Sequence, residues 1–247
     1  MIEGSLYERW LAALELNKAQ QKSSGIGTLS EKPVHAAVKY TVEPNDSYHE
    51  VRIGSYVADV VTEQGIIEVQ TRNFSGLKKK LAFFLEQGPV TVIHPIALTK
   101  WICWVDEESG EVSPPKRSSK RGKPLDGFYE LLQIRELLGH PNLTVEFWML
   151  ELTEYRFLNG YGKQRKIRAS RYQQIPMDLT EIVRCHEGRD YLALMPELPE
   201  HFTTKELMKA AGRTEAWARR TLYTLEQAGL LRRCGKEKKA ILYEKIQ

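Results

Sequence analysis

The apolar residues between positions 56 and 81 fall into two short runs followed by a helical pattern. The runs "YVADVVT" and "GIIEVQT" have the length and the β-branched content of strands, and "FSGLKKKLAFFLEQG" spaces its apolar residues three and four apart. "HEVRIG" predicts a strand before them, and "PVTVIHPIALTKWICWVD" predicts one or two strands after them. A helix over "SLYERWLAALELNKAQQ" comes first. The predicted order is a helix, three strands, a helix and further strands.

The chain continues with the same mixture of helices and strands up to about residue 188. "VHAAVKYTV" fits either element, and we favour a short helix, while "LDGFYELLQIRELLG" predicts a helix and "LTVEFWMLEL" a strand. "MPELPEHF" has the composition of a linker, and 247 residues are enough for two modest domains. We therefore expect an α/β (α+β) domain over 1–188, with a central mixed sheet flanked by helices, and a small domain over 189–247.

The last 55 residues or so have a pattern of their own. Thr203 and Glu206 form a capping box that starts a helix, and Gly212 ends that helix. A second helix follows over about 214–228, and "LLRRCGKEKKAILYEKI" predicts two strands around a basic turn. This order of elements resembles a winged helix-turn-helix. In that fold the second helix enters the DNA major groove and the hairpin contacts the backbone, although many winged helices bind proteins instead.

Composition and charge narrow the class of partner. The net charge is only +4, but "PPKRSSKRGKP" and "GKQRKIRASR" each carry five basic residues and no acid, so a polyanion is the favoured partner. No apolar run reaches the roughly 20 residues that span a bilayer, and the N-terminus does not have the pattern of a signal peptide. The three cysteines stand alone without a CxxC pair, which favours the reducing cytoplasm and argues against a disulfide framework and a zinc site.

Two carboxylates stand in the middle of predicted strands, where acids are poor strand formers. The turn at Gly54 predicts a two-residue hairpin loop, which pairs Ile53 with Tyr56 and therefore Glu50 with Asp59. A two- or four-residue loop at "TEQG" would then pair Asp59 with Glu68, whereas a three-residue loop would send these two acids to opposite faces. With an even loop, three acids form one row across adjacent strands.

Carboxylates that lie this close together repel one another unless they bind protons or share a cation. Carboxylate oxygens are the donors that Mg²⁺ or Mn²⁺ take, usually together with waters and phosphate oxygens, so Asp59, Glu68 and Glu50 are candidate metal ligands. The alternative is a polar outer face whose acids are neutralised by Arg52 and nearby lysines. Spacing alone leaves both alternatives open.

The acids, the hairpin and the following helix together resemble the PD-(D/E)XK (restriction-endonuclease-like) nuclease superfamily. The resemblance implies that Asp59 and Glu68 hold the metal ion and that an upstream acid is Glu50 or Glu8. Gln70 stands where the superfamily usually has a catalytic lysine, and Ala58 stands where proline is common before the aspartate. Some members use glutamine at that position, and in others the lysine lies in the following helix. That helix offers Lys78, Lys79 and Lys80, of which we select Lys78 together with Gln70 as catalytic candidates.

The resemblance implies a metal-dependent nuclease that hydrolyses phosphodiester bonds, with DNA as the expected substrate and a winged helix that aids binding. One alternative is a nuclease-like nucleic-acid-binding or regulatory protein that has lost catalysis, and another is a winged-helix regulator whose acids merely face solvent. A homodimer is an open alternative for the assembly, and no membrane partner is expected. The candidate nucleic-acid contacts are Arg72, Lys116, Arg117, Lys120, Arg121, Arg213, Trp217, Arg219, Arg220, Lys236 and Lys238.

Overall fold

The protein is a mixed α/β protein with two sheets, one central and one small. The computed structural model describes residues 4–24, 32–157, 159 and 170–246, without the side chains of 20–24 and 171. A mixed sheet of seven strands carries the helices, and a three-stranded antiparallel sheet lies near the C-terminus. The predicted fold class is therefore confirmed.

The described residues form seven α-helices and four short 3₁₀ segments. The α-helices are α1 (Gly4–Ser24), α2 (Pro33–Val42), α3 (Leu77–Leu85), α4 (Phe128–Leu131), α5 (Gly188–Ala193), α6 (Thr204–Ala211) and α7 (Glu215–Gln227). The 3₁₀ segments are Asp46–Tyr48, Phe74–Gly76, Pro124–Gly127 and Leu132–Leu137. Among these described helices, none combines the length and the hydropathy of a membrane-spanning segment.

Ten strands complete the described secondary structure. They are β1 (His49–Ile53), β2 (Tyr56–Thr62), β3 (Gly65–Val69), β4 (Val90–Val105), β5 (Lys116–Arg117), β6 (Leu143–Phe157), β7 (Ser170–Cys185), β8 (Phe202–Thr203), β9 (Leu231–Glu237) and β10 (Ala240–Lys245). The large sheet has the order β1-β2-β3-β4-β6-β7 with β5 paired to β4, and the small sheet has the order β8-β10-β9. The pair β1–β2 is antiparallel and the pair β3–β4 is parallel.

The first hairpin follows the predicted register. Ile53 pairs with Tyr56, and Gly54 takes a φ of 59°, the left-handed conformation that the first position of a tight hairpin turn requires. Pairs on both sides of Glu50 keep one constant offset, but Glu50 itself has a φ of 52° and is not among the paired positions. A left-handed backbone costs roughly 1–2 kcal/mol for a residue with a side chain. Strand β2 ends at Thr62 and β3 begins at Gly65, so the loop between them has an even length.

The chain divides into two compact units, each assembled from three segments. The first unit comprises Met1–Thr62, Pro95–Lys123 and Trp148–Val183, and the second comprises Glu63–His94, Pro124–Phe147 and Arg184–Gln247. The division into domains over 1–188 and 189–247 stays a prediction. We describe each unit by itself.

The core of the first unit is formed by α1, α2 and apolar residues of the strands. Trp10, Ala13 and Leu14 of α1 are buried, and Trp10 makes an edge-on contact with Trp148 at 6.3 Å between ring centroids. Helix α2 begins with Pro33, a residue that suits the first helical position because its nitrogen has no proton to leave unpaired. Most residues of α2 are buried, including the polar residues Lys39 and Thr41, so these two side chains need partners inside the unit.

The core of the second unit is rich in phenylalanine. Phe74, Phe84, Phe128 and Phe147 are almost wholly buried, and α3 contributes three buried leucines to the same unit. Gly127 has a specific packing reason, because a Cβ atom there would lie 2.1 Å from the ring of Phe147. Close packing of this kind is sensitive to a change of a single methyl group.

The C-terminal part of the second unit has the predicted order of a helix, a tight turn, a second helix and a β-hairpin. The capping box is confirmed, because the backbone N–H and the hydroxyl of Thr203 both donate to Glu206. Gly212 ends α6 with a φ of 62°. The Thr214 hydroxyl accepts the backbone N–H of Trp217 and starts α7.

Candidate active site and nucleic-acid interface

Asp59 lies opposite a polar face of α2 within the first unit. Its side chain is 17% exposed, and its Oδ2 atom lies 3.4 Å from Nε2 of His35. Lys39, four residues after His35 and on the same face of the helix, places its Nζ atom 2.5 Å from Oε1 of Glu50. Helix α2 therefore presents a titratable imidazole and an ammonium group to acids of β1 and β2.

Glu50 is consequently an ion-pair partner of Lys39 in this structure. Its side chain is 61% exposed, whereas the Lys39 side chain is only 3% exposed, so the carboxylate satisfies a nearly buried ammonium group. The prediction of Glu50 as a metal ligand did not consider Lys39. Sequence reasoning also missed His35. The four-residue spacing of His35 and Lys39 in "VHAAVKY" was the available signal.

Glu68 lies in β3 of the second unit and is almost completely buried. Only 1% of its side chain is exposed, and its Oε2 atom lies 2.6 Å from Nζ of Lys80 in α3. Lys80 is 20% exposed, and its ammonium nitrogen lies 5.6 Å from the centroid of the Phe84 ring. A carboxylate buried to this degree must be paired, since an isolated charge in the interior is very costly. A lysine of the following helix therefore accompanies Glu68.

Lys80, and not the predicted Lys78, is the helix lysine at this carboxylate. The Nζ atom of Lys78 lies 2.5 Å from Oε2 of Glu136, and this ammonium lowers the pKa of the Glu136 carboxyl. Lys79 is exposed and forms no ion pair with any residue that the structure describes. Successive residues of a helix leave in different directions, so only one of the three lysines reaches Glu68.

Gln70 organises the turn that follows β3. Its side-chain amide donates to the carbonyl oxygens of Arg72 at 2.7 Å and of Asn73 at 3.1 Å. Its backbone carbonyl lies 2.6 Å from Nδ1 of His94, which identifies that nitrogen as the protonated one. The Gln70 side chain thus fixes the path of the chain between β3 and α3. The predicted phosphate contact Arg72 is exposed at this turn.

His94 is a buried histidine between aromatic rings. It makes edge-on contacts with Phe74 at 5.2 Å and Phe147 at 6.3 Å between ring centroids. Burial lowers the pKa of His94, and this effect outweighs the hydrogen bond to the Gln70 carbonyl and the charge of Glu130, which both raise it. The imidazole is therefore neutral at pH 7 and donates from Nδ1.

The first basic segment, residues 114–124, forms backbone hydrogen bonds with strand β4 in the first unit. Arg117 pairs with Trp101 across β4 and β5, and the backbone N–H of Ser118 donates to the carbonyl of Lys100 at 2.8 Å. Gly122 closes the segment, because its N–H donates to the carbonyl of Ala97 and a Cβ atom would lie 2.4 Å from that oxygen. Within this segment, Lys116, Arg117, Lys120 and Arg121 are exposed, and none of these four forms an ion pair with a residue that the structure describes. Most of the second basic segment, 162–169, lies outside the described residues.

A second buried glutamate lies in the first unit, and sequence reasoning did not identify it. Glu154 is fully buried, and Nζ of Lys100 lies 3.1 Å from its Oε2 atom. Nε of Arg156 donates to Oε1 at 2.6 Å and the amide of Gln174 donates to Oε2 at 2.7 Å. The guanidinium of Arg156 also lies 5.8 Å from the ring centroid of Trp104. Both carboxylate oxygens are therefore enclosed by donors from the fold.

Helix α7 places part of its predicted DNA-binding surface against residues 126–135 of its own unit. Arg213 binds Asp126 with two hydrogen bonds, at 2.7 and 2.8 Å, and this partner raises the pKa of the guanidinium. The guanidinium carbon of Arg220 lies 3.8 Å from the ring centroid of Tyr129. Trp217, between these two arginines in the sequence, is half-buried, and its indole N–H has no hydrogen-bond partner among the described residues. Arg213 and Arg220 are therefore intrachain contacts, which sequence reasoning assigned to nucleic acid.

The β9–β10 hairpin, which we call the wing, and the adjoining side of α7 are accessible to solvent. Lys236 and Lys238 are exposed on the β9–β10 hairpin and form no ion pair with described residues. Arg219 is exposed and paired to Glu215 at 2.7 Å. A cavity of about 600 Å³ in this region is lined by residues of α6, α7 and the hairpin, among them Lys205, Glu215, Arg219, Tyr223, Arg233 and Lys239. Exposed cations therefore concentrate on the wing rather than on the face of α7 that packs inward.

Comparison with known proteins places the chain in a family. A family model described as Domain of unknown function (DUF8091) matches residues 32–186, a range that includes Asp59, Glu68 and Lys80. An uncharacterized protein of Treponema pallidum (strain Nichols) is 26% identical over 223 residues, which cover 89% of this chain and 87% of that protein. No solved structure matches the chain. Because the family model matches more than half of the residues, the protein belongs to the DUF8091 family.

Proposed function

We propose that the protein is a metal-dependent nuclease that hydrolyses phosphodiester bonds in nucleic acid, with DNA as the substrate. The observation that carries this proposal is the contact between Glu68 and Lys80 at 2.6 Å. A buried strand carboxylate joined to a lysine of the next helix is the arrangement that a nuclease of the PD-(D/E)XK type needs when glutamine replaces its usual lysine. The order of a helix, a strand meander, a helix and a further strand also supports it.

The side chains present suit a hard divalent cation. Asp59 and Glu68 supply carboxylate oxygens, which Mg²⁺ and Mn²⁺ prefer over nitrogen or sulfur, and Mg²⁺ needs only one or two carboxylates besides water and phosphate oxygens. When bound, such an ion supplies a water of lowered pKa and neutralises charge on the scissile phosphate. Asp59 and Glu68 would hold it.

The remaining residues have roles that do not depend on the ion itself. Lys80 stabilises the charge of Glu68 and offers an ammonium group that can orient the attacking water or contact a phosphate oxygen. His35 contacts Asp59 and would hold the orientation of its carboxylate. Gln70 keeps the turn after β3 in place, and through it Arg72 is presented to the flanking phosphate.

Nucleic-acid binding would rest on two exposed basic surfaces. One is the segment with Lys116, Arg117, Lys120 and Arg121, and the other is the wing with Lys236 and Lys238. These cations form no ion pair with the residues that the structure describes, and such cations can release counterions from a phosphate backbone, which gives affinity without sequence choice. Three free thiols fit a cytoplasmic protein, and cutting both strands of a duplex would call for two copies of the chain.

A cleavage assay with matched lysine variants tests the proposal. Duplex DNA, single-stranded DNA and RNA are incubated with the protein and Mg²⁺ or Mn²⁺. Cleavage should require metal and should fall by at least about 100-fold in Asp59→Asn, Glu68→Gln and Lys80→Ala, as for loss of one strong transition-state interaction. Lys79→Ala should retain activity because Lys79 is exposed and unpaired among the described residues. Metal-dependent cleavage that survives Glu68→Gln would overturn the assignment.

The second candidate is a nuclease-like protein that binds nucleic acid without cutting it. It is favoured by the observation that each predicted metal ligand already has a basic partner in the chain, since His35, Lys39 and Lys80 contact Asp59, Glu50 and Glu68, respectively. This candidate predicts binding that is indifferent to divalent metal and to substitution of the acids. Nucleic-acid affinity measured with EDTA and with Mg²⁺ distinguishes the two candidates when no cleavage is found.

A further inference from the structure

The small C-terminal sheet brings together three different metal-ligating side chains that are far apart in the sequence. His201, Cys234 and Glu244 each offer one ligand atom, and these three atoms lie within 4.8 Å of one another. Nε2 of His201 lies 3.0 Å from Oε2 of Glu244. The lack of a CxxC pair speaks only against zinc sites whose ligands are close together in the sequence. Here strand pairing brings together ligands that are far apart in the sequence.

The register of the sheet explains why these residues meet. Tyr243 pairs with Phe202 across β10 and β8, and the same offset places Glu244 opposite His201. On the other side of β10, Tyr243 pairs with Arg233 while the preceding residue pairs with Gly235. Cys234 is therefore the extra residue of a β-bulge. Bulges re-aim a side chain out of the regular alternation, and here the re-aimed side chain is a thiol.

The donor set and its surroundings suit zinc. Nitrogen, sulfur and oxygen are the zinc donors in proteins, and bonds of about 2.0–2.3 Å place tetrahedral ligand atoms roughly 3.3–3.8 Å apart. The three ligand atoms are thus within small side-chain movements of that geometry. Arg232 binds Oε1 of Glu244 while His201 lies at Oε2, so a neighbouring guanidinium orients the carboxylate in the way that outer-shell partners orient metal ligands.

We propose that His201, Cys234 and Glu244 bind a zinc ion on the C-terminal sheet, with water in the fourth position. The ion would be bound by a nitrogen of His201, the sulfur of Cys234 and a carboxylate oxygen of Glu244. It would join β8, β9 and β10 at the base of the wing. This site is separate in chemistry from the proposed oxygen-ligand site of Asp59 and Glu68.

Cobalt(II) is the first probe, because a cobalt ion bound by a thiolate has a sulfur-to-metal charge-transfer band in the near ultraviolet. The full chain titrated with Co²⁺ should develop this band, and added Zn²⁺ should remove it. The band should be absent in Cys234→Ser, and zinc affinity should fall at least about tenfold in His201→Gln and Glu244→Gln, since even outer-shell changes cost this much. Asp59→Asn serves as the control and should keep the band. A wild-type protein without the band, or a band that survives Cys234→Ser, would overturn the proposal.

Thiol protection in the wild-type chain gives a readout that needs no variant. Cys234 is exposed, whereas Cys103 and Cys185 are buried. Burial raises the pKa of the Cys103 thiol, and it raises the pKa of Cys185 to about 12. Alkylation of the native protein should therefore report on Cys234 alone. Zinc at a concentration well above its dissociation constant should slow that reaction at least about tenfold, because the metal-bound thiolate is shielded. An alkylation rate that zinc leaves unchanged would contradict the site.

Discussion

Two buried glutamates, one in each unit, show how differently the same residue can be used. Glu154 is fully buried, and Lys100, Arg156 and Gln174 donate to both of its oxygens. Glu68 is 1% exposed, and the ammonium of Lys80 lies on its Oε2 atom. The first environment is a complete set of structural donors. The second pairs a buried acid with a lysine that keeps 20% of its side chain exposed.

The basic residues show the same contrast. Arg213 and Arg220 are bound to Asp126 and Tyr129 within the second unit, whereas Lys236 and Lys238 on the wing have no ion-pair partner among described residues. A charged residue whose partner is in the chain stabilises the fold, and a charged residue without one is available to a ligand. The number of charges in the sequence does not distinguish paired from unpaired basic residues, whereas their contacts in the structure do.

The largest stability effect is expected at Glu154. Glu154→Gln should lower the free energy of unfolding by about 3 kcal/mol, because it breaks a buried ion-pair network. Glu151→Gln on the opposite face of β6 is the matched control and should change it by less than about 0.5 kcal/mol, as is usual for positions outside such networks. Urea denaturation measures both. If Glu68→Gln, tested without metal, cost as much as Glu154→Gln, the contrast between the two glutamates would be lost.

The contact between Arg213 and Asp126 should have an intermediate effect. Both side chains are about a quarter to a third exposed, so we expect each of Arg213→Ala and Asp126→Ala to cost about 1–2 kcal/mol. The double variant should cost little more than either single one, because the two residues share one interaction. Thermal or urea unfolding of the wild type, the two single variants and the double variant gives the coupling energy of the pair. Strictly additive effects would show that the pair is not coupled.

The wing lysines should change binding and leave stability unchanged. Lys236→Ala with Lys238→Ala should reduce the slope of log affinity for DNA against log salt by up to about 2, one for each lost phosphate contact. The unfolding midpoint should stay within about 1 °C, since exposed unpaired lysines contribute little. Fluorescence anisotropy at several salt concentrations gives the slope. An unchanged slope would remove the wing from the binding surface.

The smallest effect concerns the capping box of α6 and depends on pH. Hydrogen bonds from the Thr203 backbone and hydroxyl lower the pKa of Glu206, so its contribution is present above the unfolded pKa and is lost as the pH falls through the folded one. Glu206→Ala should cost about 0.5 kcal/mol at pH 7 and almost nothing at pH 2.5. Unfolding curves at both pH values test this. The exposed Glu200→Ala is the control and should show no such difference.

Local sequence signals predicted the fold well. Although the helix predicted over "LDGFYELLQIRELLG" is only a short helical turn, Phe128–Leu131, between two 3₁₀ segments, the order of elements up to β4 and after residue 202 is as predicted. The Gly54 turn fixed the pairing of Ile53 with Tyr56, and the capping box of Thr203 and Glu206 formed as expected. These features depend on residues that are close in the chain. One or two strands were predicted after Gly88, and the structure has a single strand of 16 residues there.

Contacts between distant segments could not be predicted in the same way. Whether Lys78 or Lys80 reaches Glu68 depends on where α3 begins and how it is rotated, which a short 3₁₀ turn at Phe74–Gly76 decides. The inward face of α7 depends on Asp126, which is 87 residues away from Arg213. The three potential zinc ligands depend on a bulge that the sequence pattern does not show.

The most direct test of the central claim is a calorimetric titration with Mn²⁺ of the protein and of Asp59→Asn and Glu68→Gln, all carrying Cys234→Ser to remove the sulfur-containing site. The account predicts binding to the Cys234→Ser protein that both acid substitutions weaken by at least about tenfold, because each removes an oxygen ligand. Lys79→Ala in the same background should bind as well as its parent. Absence of binding at millimolar Mn²⁺, or binding that neither acid substitution affects, would contradict the claim that Asp59 and Glu68 hold a metal ion.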